Sequence, residues 1–136
     1  MVTLLGEEFI LSKKEIIQLL NLVADEFKRS VEDITVKCVS AQEITNLNLQ
    51  YRKKSESTNV LSFSYDEGVH DVAICMEVAE IEARELKIDL KYYSAWLLVH
   101  AFIHAYGLDH EISRETAKQV EEMESRLLDM AGYSKN

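Results

Sequence analysis

The chain has 136 residues, 47% hydrophobic and 29% charged, with 15 Lys and Arg against 24 Asp and Glu for a formal charge of −9. That balance is globular and excludes a disordered acidic tail, a collagen-like rod and a disulfide-dense mini-protein. No apolar run reaches the roughly 18–20 residues of a membrane span, and so acidic a chain is not coated in nucleic acid, although a short basic cleft on it remains allowed. The length suits one domain over residues 1–136. The start, Met1 to Glu8, lacks a basic stretch followed by an apolar one, so no signal peptide is expected. Cys38 and Cys75 stand far apart, without CxxC spacing, and are expected as reduced, buried small hydrophobes in a cytoplasmic protein.

Val2-Thr3-Leu4-Leu5 reads as a short first strand. Ser12-Lys13-Lys14-Glu15 is a capping box, in which the hydroxyl accepts from a free backbone N–H and the Glu reaches back to the cap. The helix it opens puts Ile16, Leu20, Val23 and Phe27 on one face. Residues 34–39 are β-branched and partly alternating, a half-buried strand. Ser40-Ala41-Gln42-Glu43 forms a second capping box, ahead of a helix through Ile44, Leu47 and Tyr51. Residues 60–64 and 72–75 read as strands, compatible with an antiparallel hairpin, around a loop holding Asp66, Glu67 and Gly68. Helices follow around 76–87, 91–106 and 113–130, the last amphipathic through Ala117, Val120, Met123, Leu127 and Met130. The order β-α-β-α-β-β-α-α-α predicts an α+β fold, a small mixed sheet of about four strands packed with helices.

The 91–106 helix carries the chemistry. Trp96, Leu97, Leu98, Val99, Ala101, Phe102, Ile103 and Ala105 leave it almost no polar face, so it should run through the core. His100 and His104, four apart, project in the same direction. Gly107 can end the helix in a left-handed conformation and let the chain return His110 toward them. Three neutral imidazoles suit Zn²⁺, at about 2.0–2.1 Å, and leave a fourth position for water or substrate. Such an open site is catalytic in type, since the metal acidifies its water and polarises a bound oxygen. Asp109 is either an orienting partner for a ligand ring or a solvated turn residue. Metzincin proteases share this histidine spacing, but their general-base Glu follows the first His, where this chain has Ala101. Upstream, Arg52-Lys53-Lys54 places three cations at a helix end. They either complement the helix C-terminus or clamp phosphate, with Arg52 supplying a planar fork.

Together these segments resemble the YbeY family of bacterial endoribonucleases, or rRNA maturation factors. The family pattern H-G-x-L-H-L-x-G-Y-D-H is met at His100, His104, His110, Gly107 and Asp109, with Ala101, Ile103, Ala105 and Leu108 as departures. A second pattern, L-N-x-x-Y-R-x-x-x-x-P-T-[DN]-V-L-S-F, appears as residues 47–52 and 58–63, with Ser57 where proline is usual. A third, G-D-I-x-I, becomes His70-Asp71-Val72-Ala73-Ile74. The resemblance spans about residues 44–133 and implies one zinc, or another divalent transition metal, on His100, His104 and His110. It implies that Arg52 is the essential basic residue, so Arg52 and His100 are the catalytic candidates, with Lys53 beside Arg52 for substrate binding. The implied activity is metal-dependent cleavage of single-stranded RNA in 3′-end maturation of small-subunit rRNA and in ribosome quality control, with the small subunit or its proteins as partners. His70 is expected in a surface loop; the alternative is a base or an extra ligand. Two rival readings are an assembly factor with a non-catalytic metal, suggested by the acidic surface, and a metallopeptidase-like hydrolase, which Ala101 disfavours.

Overall fold

The computed structural model describes residues 1–52, 59–66, 68–106 and 114–134, without the side chains of residues 51, 52, 65, 66 and 114–116. Nine elements follow one another: β1 (Val2–Leu5), α1 (Lys13–Glu26), β2 (Asp33–Cys38), α2 (Ala41–Arg52), β3 (Val60–Asp66), β4 (Val69–Ile74), α3 (Met76–Leu86), α4 (Leu90–Ala105) and α5 (Arg114–Met130). The sheet order is β1-β2-β4-β3. β1 with β2 and β2 with β4 are parallel, and β3 with β4 is antiparallel. The fold is therefore α+β with a mixed four-stranded sheet, in the element order that the residue patterns predict.

Local chemistry sets the boundaries. At α1 the Ser12 Oγ accepts from the Glu15 N–H at 3.1 Å, and Glu15 Oε1 accepts from the Ser12 N–H at 3.0 Å, so the capping box is complete. At α2 the Ser40 Oγ accepts from the Glu43 N–H at 3.1 Å, while the Glu43 carboxylate meets Lys37 Nζ at 2.9 Å on β2. β4 starts at Val69, three residues earlier than the sequence suggests, because β2 runs beside it from the Asp33–Val69 pair onward. Gly68, at φ +82°, takes the hairpin turn, and its carbonyl accepts from the Asp33 N–H at 2.9 Å.

Side-chain alternation gives the sheet two covered faces. Ile34, Val36, Val60, Val72 and Ile74 join the main core with α1, α4 and α5. Leu61, Ala73 and Cys75 join a smaller cluster with Val39 and with Ile44 of α2. α4 packs against α1, α3, α5 and β3, which makes it the central helix. Its Leu97, Leu98, Phe102 and Ile103 are fully buried. Both cysteines are free thiols and buried, and burial pushes the Cys38 thiol up to about 12, so it stays protonated and unreactive.

Two expectations need correction. Met130 is exposed, because the buried stripe of α5 runs through Val120, Glu124, Leu127 and Leu128 and leaves position 130 on the far side. His70 lies in β4 rather than in a surface loop and is only 4% exposed. Its Nδ1 stands 2.7 Å from Ser64 Oγ, directly opposite on β3, and its Nε2 stands 3.2 Å from Glu32 Oε1. A buried imidazole with both nitrogens partnered is a satisfied strand residue.

Candidate metal centre

From residue 92 to 106 the central helix is buried at every position except Trp96, His100 and His104. These three are spaced i, i+4 and i+8, so they form one stripe along an otherwise enclosed helix. Packing around α4 thus leaves a single open seam, and both histidines sit in it. The rings are in register: Tyr93 stacks on Trp96 with centroids 5.6 Å apart, Trp96 stacks on His100 at 5.5 Å, and His104 meets His100 edge-on at 4.5 Å.

The edge-on contact brings the Nε2 atoms of His100 and His104 to 3.2 Å. Two ligands bound at 2.0–2.1 Å around a tetrahedral ion stand about 3.3 Å apart. The pair is therefore spaced as two vertices of a zinc site. On its other side, His100 Nδ1 lies 2.5 Å from Glu124 Oε2 of α5, and Glu124 Oε1 accepts from Trp96 Nε1 at 3.2 Å. Glu124 is 1% exposed, whereas the His100 side chain is 35% exposed, so the carboxylate lies behind the ring and not in the seam.

Asn59, in the Thr58–Phe63 motif, ties the entry of β3 to this column. Its Nδ2 donates to Glu82 Oε1 of α3 at 2.9 Å, and the same oxygen accepts from the Tyr93 hydroxyl at 3.0 Å. Burial, then the Glu82 carboxylate, push Tyr93 up to about 12, which keeps its hydroxyl a neutral donor. The strand that follows the Arg52–Lys54 segment is thereby anchored to the ring stack that carries His100.

His100 and His104 are brought together as their spacing predicts. His110, Gly107, Asp109 and Lys53 lie outside the described residues, and so does the side chain of Arg52, whose backbone ends α2. Among the described residues no three His, Cys, Asp or Glu side chains group to hold an ion, and His100 and His104 are the members of the expected histidine set that lie there. Glu124 is the participant that the sequence reading missed.

The family description that matches is Endoribonuclease YbeY, over residues 7–132. The chain belongs to the YbeY endoribonuclease family. An endoribonuclease YbeY of Acidovorax sp. (strain JS42) is 41% identical over 105 residues, covering 75% of this chain and 69% of the relative. One from Delftia acidovorans is 40% identical over the same length and the same shares. A solution structure from Thermotoga maritima superposes with a TM-score of 0.68 at 25% identity, covering 96% of this chain and 89% of that one. The family match includes all of α4 and α5, so the two histidines and Glu124 fall inside it.

Proposed function

We propose that this chain is a metal-dependent endoribonuclease that cuts single-stranded RNA, acting in the cytoplasm on the 3′ end of small-subunit rRNA and in ribosome quality control. One observation carries the metal reading: two imidazole Nε2 atoms 3.2 Å apart in the open seam of a buried helix. In this reading His100, His104 and His110 hold one zinc or a similar divalent ion. When bound, that ion supplies a Lewis acid that polarises a phosphoryl oxygen and lowers the pKa of water. The Arg52 guanidinium holds two phosphoryl oxygens through its fork and stabilises the charge that grows on them, and Lys53 adds a second cation. Family membership supports RNA as the substrate. The net charge of −9 supports basic ribosomal proteins as docking partners.

A labelled single-stranded RNA and its duplex, incubated with the chain, with added chelator and with His104→Ala, test this reading. The single strand should be cut, the duplex spared, and cutting lost in chelator and in the variant. Cleavage by the purified chain that survives both does not depend on the histidine site and overturns the reading. A chain that holds about one zinc yet cuts no RNA would instead favour the assembly factor with a non-catalytic metal, the reading its acidic surface suggests.

A further inference from the structure

Glu124 is a carboxylate buried on the apolar stripe of an amphipathic helix, beside Val120, Leu127 and Leu128. Burying a charge is expensive unless it is fully partnered, and a half-satisfied carboxylate would destabilise the α4–α5 contact. Both of its oxygens are engaged, and both partners come from α4, one turn apart: Trp96 Nε1 at 3.2 Å and His100 Nδ1 at 2.5 Å. A carboxylate oxygen accepts, so in this contact the imidazole donates from Nδ1 and leaves Nε2 on its open side. That Nε2 faces His104 Nε2 across 3.2 Å.

We propose that Glu124 is a positioning residue for His100, fixing its tautomer and ring orientation so that Nε2 is the nitrogen presented to the ion; this rests on the metal reading above. Trp96 acts twice. Its indole N–H holds the second carboxylate oxygen, and its ring, inclined 25° to the imidazole, limits the tilt of His100. Without the carboxylate the imidazole can turn over and offer Nδ1, which places the donor atom off the line to His104. Groups that hold a ligand in this way typically govern metal affinity by about 10–100-fold.

The test uses the full chain as wild type, Glu124→Gln and Trp96→Phe. The Gln variant keeps the volume and an acceptor for the indole but removes the charge. Zinc affinity is measured by competition with a chromophoric chelator, the ligand field by the visible spectrum after Co²⁺ substitution, and folding by thermal unfolding in excess chelator. Glu124→Gln should bind zinc about 10–100-fold more weakly and shift the Co²⁺ bands, while the metal-free chain unfolds cooperatively. Trp96→Phe, which keeps the ring stack and drops one donor, should move both readouts less and in the same direction. Zinc affinity within about 2-fold of wild type with unchanged Co²⁺ bands overturns the proposal, whatever the variants do to unfolding, and leaves the metal reading standing. Should Glu124→Gln fail to fold, the same comparison with Trp96→Phe decides. A wild-type chain that takes up neither zinc nor Co²⁺ overturns the metal reading and this proposal with it.

Discussion

The proposed function gives Arg52 and the histidines separate tasks, which substitutions can tell apart. On the proposed mechanism, Arg52→Ala removes a phosphate-directed fork and no metal donor, so single-turnover cleavage should fall by about 100–1000-fold while elemental analysis still finds zinc. Parallel loss of metal and cleavage would make Arg52 a structural residue. The histidine pair was legible because helical spacing alone decides which residues share a face, and positions 100 and 104 differ by four. His70 was not legible, because its partners Ser64 and Glu32 come from another strand and from the segment before β2. Glu124 was hidden differently. It sits among Glu121 and Glu122, which are solvent-facing, so a third carboxylate read as more of the same surface. Its spacing from Val120 and Leu127, four and three residues, did carry the signal that it points inward.

At the scale of elements, the first turn of α1 is a junction as well as a cap. Glu15 accepts from the Ser12 backbone, pairs with Lys91 at the start of α4 at 2.9 Å, and receives the Tyr133 hydroxyl at 3.3 Å from the residues after α5. The Ser12 backbone hydrogen bond first, then the Lys91 hydrogen bond, lower its carboxyl from 4.5 to about 2. A folded-state pKa below the unfolded value means that the ionised form favours the fold. That contribution is complete above pH 4.5 and is lost as the pH falls toward 2. Thermal unfolding of wild type and Glu15→Gln across that range should therefore show an advantage for wild type at pH 6 (about 1.5 units above the reference value) that shrinks to nothing near pH 2. A gap independent of pH would remove Glu15 from the ionic link between α1 and α4. The Ser12 cap was readable from four consecutive residues, whereas Lys91 and Tyr133 reach Glu15 only through the packing of α1, α4 and the segment after α5. The same limit applied to β4, whose early start depends on β2 as its parallel neighbour.

Across the whole molecule the problem is how a body of charge −9 holds a polyanion. The Arg52-Lys53-Lys54 segment is the concentrated positive stretch in the sequence, and the acidic surface elsewhere repels the remainder of the strand. Three phosphate contacts on single-stranded RNA predict a slope of log affinity against log salt of about −2, from about −0.7 per contact. Raising the salt from about 0.05 M to about 0.3 M should then weaken binding about 40-fold. Arg52→Ala should make the slope shallower by about 0.7. Both are measurable by fluorescence anisotropy in chelator, which keeps the RNA intact. Repulsion from the acidic surface is screened over the same salt range, since the Debye length is about 10 Å near 0.1 M, and this works against the loss of attraction. A slope steeper than −2 therefore requires phosphate contacts beyond these three cations. A flat response would mean that affinity comes from base stacking, with Arg52 acting only as charge grows on the phosphate.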